Sequence, residues 1–225
     1  MSGIRIAIDG PSGVGKSTTA RELARRLEYQ YVDTGAMYRA VGVLARRREL
    51  SVDDGDGLAA LTETLGFDFP IVDGVLCTVV DGEDLSQAIR TAQASMDASS
   101  VSRHPGVRRA LVELQRTLAT RGGVVMEGRD IGTVVLPDAE LKVFLDADPR
   151  IRGERRLVDL RAQGEDADLE QVVAAIEARD HQDRTRADSP LRQAEGAVRV
   201  DTSRMSVEAA VDRLVELANR ASFAF

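Results

Sequence analysis

Residues 10–17 read GPSGVGKS, and no other stretch narrows the folding of this chain so sharply. Before it, IRIAID (4–9) alternates apolar and polar residues in the manner of a short buried strand. After it, Ala20, Leu23, Ala24 and Leu27 fall at the i, i+3, i+4, i+7 spacing of a helix face. A glycine-rich turn therefore joins a strand to a helix, the context in which G-x-x-x-x-G-K-[ST] binds phosphate. Glycines let the backbone curl until successive N–H groups point at one oxygen cluster. The helix adds the positive end of its dipole. Lys16 neutralises charge on the outer phosphates, and the hydroxyl of Ser17 suits a magnesium ion. Binding of a nucleoside triphosphate follows.

Composition sharpens the reading of Lys16. Of thirty Lys and Arg residues only Lys16 and Lys142 are lysines, leaving twenty-eight arginines. A GC-rich coding bias accounts for the imbalance, and against it a retained lysine points to a needed ammonium. Lys142 lies in an apolar segment and carries no such signal. The net charge of −7 argues against general binding to nucleic acid or an anionic membrane. No apolar run approaches the roughly 18 residues of a membrane span. MSGIRIAIDG is too short and polar for a signal peptide. Cys77 stands alone, so no internal disulfide forms. The expected setting is cytoplasmic, and the expected state a monomer.

The rest of the chain alternates strand and helix patterns. YQYVDT (29–34) reads as a second strand, and Ala36 to about Arg48 as a helix through Met37, Ala40, Val41 and Leu44. Between Phe67 and Leu85, short β-rich runs are split by Asp73-Gly74 and Asp81-Gly82, which predict a small antiparallel insertion. A helix resumes after Pro105. GVVMEG (123–128) and LKVFLDA (141–147) read as buried parallel strands. Residues 149–163 and 168–187 read as helices, 197–202 as a strand and 206–220 as a final helix. The fold class expected is α/β, a phosphate-loop-type parallel sheet flanked by helices.

The loop alone does not separate a kinase from a GTPase or a hydrolytic ATPase. A guanine-reading Asn-Lys-x-Asp needs a lysine, and neither lysine has that context. No strand ends in an Asp-Glu pair. Arginines instead suggest a second anion site. Arg39 follows the second strand, Arg129 the third, and Arg152, Arg155 and Arg156 follow LKVFLDA, while Arg179, Arg184 and Arg186 crowd into RDHQDRTR. Open α/β sheets bind ligands at the carboxyl ends of their strands, and arginine grips phosphate with a fork that stays charged.

These segments, IDGPSGVGKST, VDTGAMYRA, VDGED with AIRT, GRDIGTVVLPDAELKVFLDA, RIRGERR and ARDHQDRTRADSPL, make the chain resemble bacterial-type cytidylate kinase over nearly its whole length. The resemblance implies transfer of the γ-phosphoryl group of ATP to CMP or dCMP, with Mg2+. It implies that Gly10, Pro11, Ser12, Gly13, Val14, Gly15, Lys16, Ser17 and Thr18 wrap the ATP phosphates. Arg39, Arg129 and Arg186 would clamp the acceptor phosphate. Ser99, Arg108 and Asp130 would meet the cytosine, Arg179 and Asp183 the sugar. Arg152, Arg155 and Arg156 would sit in a lid (150–164) closing over the donor. The acceptor-binding domain would span 34–97, with its β insertion at 66–86. Residues 1–33, 98–149 and 165–225 would form the core.

Cytosine offers an exocyclic amine where uracil offers a carbonyl, so a carboxylate such as Asp130 discriminates between them. Asp130 has a second reading, orienting Arg129 or capping a turn. The register of Ser99 among neighbouring serines rests on the flanking segments, and Thr34 offers a hydroxyl to the acceptor nucleotide. Asp9 and Asp146 each end a strand, as water-mediated holds on magnesium or as strand-end caps. His104 and His181 read as incidental polar residues. The rival readings are a kinase for UMP, AMP or shikimate, and a nucleotide switch with no phosphoryl acceptor.

Overall fold

The computed structural model describes residues 3–72, 75–162 and 164–223. Two units divide the chain, residues 1–31 with 121–225 and residues 32–120. The chain enters through β1 (Arg5–Asp9), the phosphate loop, α1 (Lys16–Leu27) and β2 (Gln30–Asp33). Thr34, expected at the end of β2, instead opens α2 (Thr34–Arg47). The side chain of Asp33 accepts from the amide of Ala36 and caps that helix, which stops the strand one residue early.

The second unit packs α2 on α4 (Ala92–Val101) and α3 (Gly55–Glu63) on α5 (Pro105–Ala119). Helices α3 and α4 have no counterpart in the sequence reading. The first carries two glycines and the second is mostly small and polar residues, so neither shows a strong apolar stripe. Their caps are legible once seen. Asp54 accepts from Gly57 N and Thr91 from Ala94 N, both at 3.0 Å. This unit runs from Val32 to Thr120, and so includes α5, because α5 packs on α3 within it.

Between α3 and α4 lie five two-residue strands, β3 (Phe67–Asp68), β4 (Ile71–Val72), β5 (Val75–Leu76), β6 (Val79–Val80) and β7 (Glu83–Asp84). They pair antiparallel as β3-β6-β7 and β4-β5. Asp81 and Gly82, at φ 51° and 85°, make the two-residue turn joining β6 to β7. The second expected turn, Asp73-Gly74, lies outside the described residues.

The chain returns to the first unit with β8 (Val124–Gly128), β9 (Leu141–Asp146), α6 (Pro149–Ala162), α7 (Leu169–Thr185), β10 (Val198–Asp201) and α8 (Val207–Ser222). The sheet order is β10-β9-β1-β8-β2, and β1 pairs in parallel with β8 and β9, as β9 does with β10. Every residue of β8 is buried, as an inner parallel strand requires. Between β8 and β9 a π-helical turn covers Ile131–Val135, an element the sequence reading did not contain. Its widened winding shows in the bonds from Val135 N to Asp130 O and from Leu136 N to Ile131 O.

Helices α6 and α7 share a small apolar cluster of their own, Leu157, Val172 and Ile176. A cluster so small gives the pair local stability below that of the sheet. Ile176→Ala is therefore expected to speed amide hydrogen exchange across 150–185 while β1 and β8 exchange at their original rates. A uniform rise across the chain would show instead that α6 and α7 unfold only with the whole.

Candidate active site

The loop after β1 is shaped by what its carbonyls do. A backbone that turns N–H groups inward must turn carbonyls outward, where each needs a donor. Pro11 O accepts from Lys16 Nζ at 2.7 Å. Ser12 O accepts from Arg152 Nη1 at 3.0 Å, and Val14 O from Thr202 Oγ1 at 3.1 Å. Gly10 must be glycine, since a Cβ there would stand 2.2 Å from the carbonyl oxygen of Leu145 in β9. Lys16 and Ser17 begin α1, which directs the helix N-terminus at the loop's concavity.

Of the three α6 arginines expected to close over the donor, two serve this scaffold. Arg152 is buried, donates through Nε to Ala147 O at 3.0 Å, and ion-pairs with Asp180 of α7 at 2.6 Å. Asp180 accepts in turn from the amide of Ser12 at 3.3 Å. Arg155 donates to Thr202 O at 2.7 Å and to its Oγ1 at 3.3 Å. Arg156 is half-buried in the same helix. Sequence reasoning missed Asp180 and Thr202. Asp180 sits among alternating charges on a long helix, where a buried carboxylate looks like a solvated one.

Beside the loop the first unit gathers five of the predicted acceptor-site residues. Arg129 donates through Nε to Asp183 Oδ2 at 2.8 Å. Arg186, at the C-terminal cap of α7, donates to Ser189 O at 2.7 Å and stands 3.7 Å from Asp130 Oδ1. Burial pushes the Lys16 ammonium down to about 7, and the charges of Arg129 and Arg179 push the same way, against Glu127 and Asp183. That mutual influence places Arg129, Arg179 and Asp183 within electrostatic reach of the loop lysine. Burial acts to raise the Asp183 carboxyl, but the charge and hydrogen bond of Arg129 outweigh it and hold it below the usual range. Arg129 is raised in return, Asp183 outweighing its own burial. Glu127, a third residue the sequence reading passed over, is buried in β8 and accepts from Tyr31 Oη at 2.6 Å.

The carboxylates left open by sequence are now accounted for. Asp9 accepts from the amides of Ile131 and Gly132, each at 2.8 Å. Burial raises its carboxyl to about 7, against those two bonds. Asp146 holds Arg199 at 2.5 Å and the amide of Ala147. His104 Nε2 lies 2.8 Å from Val52 O, and Lys142 donates to Pro137 O.

The second unit carries the other predicted residues. Thr34 is the buried first residue of α2, and one turn on Arg39 donates to Asp33 at 2.8 Å. Arg108 is buried in α5, with its guanidinium 6.0 Å from the ring centroid of Tyr38 and Nη1 3.4 Å from that hydroxyl. Ser99 is half-buried in α4.

Residues 6–220 match the family model described as cytidylate kinase. A cytidylate kinase of Syntrophotalea carbinolica is 50% identical over 212 residues, 94% of this chain and 90% of the relative. One from Geobacillus sp. is 44% identical, covering 96% of each chain. Among solved structures, a shikimate kinase from Bacteroides thetaiotaomicron superposes with a TM-score of 0.51 at 17% identity, over 96% of this chain and 98% of that one. That likeness concerns the fold, a parallel sheet flanked by helices.

The lowered ammonium of Lys16 gives a signed prediction. Above pH 7 the free protein holds Lys16 largely neutral, and a bound triphosphate restores its charge. Binding of ATP at pH 8 is thus expected to take up close to one proton, read by calorimetry in buffers of different ionisation enthalpy. Lys16→Met should abolish the uptake.

Proposed function

The chain belongs to the cytidylate kinase family and transfers the γ-phosphoryl group of ATP to CMP or dCMP; we propose that its phosphate loop and its arginine cluster hold the two nucleotides for direct, in-line transfer. The observation that carries this reading is the cluster itself. Arg129, Arg179 and Asp183 stand where their charges act on the loop lysine, Arg129 is bonded to Asp183, and Arg186 stands 3.7 Å from Asp130. A phosphate-bearing acceptor entering the cluster exchanges carboxylate partners for its own oxygens, and so meets guanidinium groups already oriented.

In the reaction an oxygen of the acceptor phosphate attacks the γ-phosphorus, and the bond to the oxygen bridging the β- and γ-phosphorus breaks, releasing ADP. The nucleophile is already anionic, so no protein base is required. Loop amides and Lys16 carry the charge that grows on the leaving side. Arg129 and Arg186, with Arg39, hold the acceptor phosphate. Asp130 accepts from the cytosine amine, Arg108 and Ser99 donate to the ring's acceptors, and Arg179 and Asp183 meet the sugar. Thr34 adds a hydroxyl. Residues 34–97 serve as the acceptor-binding domain, with its β insertion at 66–86, and 150–164 as a lid. Arg152 and Arg155, bonded to the loop and its support, act on the donor through loop shape. Arg156 is the arginine of the three better suited to reach the donor phosphates.

Magnesium fits the donor set. Ser17 offers a hydroxyl oxygen at the start of α1, and phosphate oxygens and water complete the hard coordination the ion prefers. When bound, the ion neutralises phosphate charge. Asp9 and Asp146 are committed to the partners given above, so neither is proposed as a direct ligand. No described helix is long and apolar enough to cross a membrane. We read the enzyme as a cytoplasmic monomer of pyrimidine nucleotide metabolism that acts without nucleic acid or membrane.

Two measurements test this reading. With ATP and magnesium, ADP release should be fast with CMP and dCMP and weak with UMP, AMP and shikimate; equal rates across the panel would refute the acceptor assignment. Arg129→Ala and Arg186→Ala should each lower kcat/KM for CMP by about 100-fold or more, the scale of a lost transition-state charge contact. Affinity for an ATP analogue should hold in Arg186→Ala. In Arg129→Ala it should not fall, because one of the positive charges opposing the Lys16 ammonium is removed.

A further inference from the structure

We infer that Asp9 is a positioning residue for Arg129 and Asp130, its carboxylate setting where the acceptor-reading segment leaves the sheet. The inference rests on the acceptor roles proposed above for those two residues. Asp9 is the last residue of β1 and stands in register with Gly128, the last residue of β8. From that level the chain leaves in two directions, through Gly10 into the phosphate loop and through Arg129–Asp130 into the π turn. Asp9 spans the fork. Oδ1 accepts from Ile131 N and Oδ2 from Gly132 N, both at 2.8 Å.

Those two amides open a helical turn and so have no partner within it. The residue that usually supplies one is the N-cap, here Asp130, yet the side chain of Asp130 makes no capping bond. Asp9, distant in sequence, does the capping. The side chain of Asp130 is thereby left to face Arg186. The reading of Asp130 as a turn cap, open in the sequence, is thus answered by a different carboxylate.

The opposite side of the segment is closed by packing. A Cβ on Gly132 would come within 3.2 Å of Ala194 Cβ and of Lys142 Cδ. Held between Asp9 and that wall, the segment has little freedom to shift. A buried carboxylate is costly, and this one is 3% exposed. An apolar residue of similar size would remove that cost but strand two buried amides.

The test is steady-state kinetics of Asp9→Asn and Asp9→Glu with CMP and UMP, alongside direct binding of an ATP analogue. Asn keeps one acceptor and sets an NH2 against the second amide; Glu keeps the charge and displaces it. Each should raise KM for CMP and reduce the CMP-over-UMP preference by about tenfold, the scale of one lost hydrogen bond to a charged group. Affinity for the ATP analogue should stay within about twofold. Equal losses for both nucleotides, or an unaltered CMP-over-UMP preference, would overturn the inference. Asp130→Ala separates the two readings. If it leaves the preference intact, the base-reading role of Asp130 fails, and the Asp9 inference is then decided by the KM for CMP alone. Should the Asp9 variants not fold, amide exchange in the unaltered enzyme decides. Ile131 and Gly132 should exchange as slowly as the sheet, and exchange at loop rates would overturn the claim.

Discussion

A backbone loop that offers its N–H groups to phosphate has to dispose of its carbonyls, and much of the first unit is arranged around that requirement. Three successive supports, Lys16, Arg152 and Thr202, take the carbonyls of Pro11, Ser12 and Val14. Two of the supports have footings of their own, Arg152 on Asp180 and Ala147, Thr202 on Arg155. Helices α6 and α7 and the end of β10 are thus tied to eight residues at the head of α1. The loop's shape comes from contacts contributed by the last third of the chain, although its glycines permit that shape locally.

The same economy governs the charges. Guanidinium groups proposed to hold phosphate lie against carboxylates, Arg129 with Asp183 and Arg39 with Asp33. Such pairs keep cations oriented in a partly buried setting where unpaired charge would be expensive. They also set a competition, because an incoming phosphate gains only what exceeds the carboxylate contact it replaces. On the reading proposed for Arg129, Asp183 would have a double effect, steadying the guanidinium and tempering its grip.

Most of the sheet was legible from sequence because apolar runs and glycine-rich turns mark its strands. The β insertion was legible through Asp81-Gly82, whose two positive φ angles need those residue types. Helices α3 and α4 were not, since small and polar residues pack well against neighbours without leaving an amphipathic stripe. At the site, residues of distinctive chemistry stood out, Lys16 among arginines and Arg129 after a strand. Asp180, Thr202 and Glu127 did not, because their roles arise from burial, and burial of a single polar residue leaves no local pattern. Arg152 and Arg155 show the converse. Their clustering was plain, whereas their engagement of loop carbonyls depends on α6 lying against the loop.

The π turn at Ile131–Val135 carries a consequence for length. It is wound one residue wider than an α turn, and its opening amides are fixed by Asp9. Deleting a single residue would tighten the coil, swinging the following side chains by about 100° and drawing them about 1.5 Å along the axis relative to the anchored amides. Evolution can vary the chemistry of this short connection, but it has little room to vary its length.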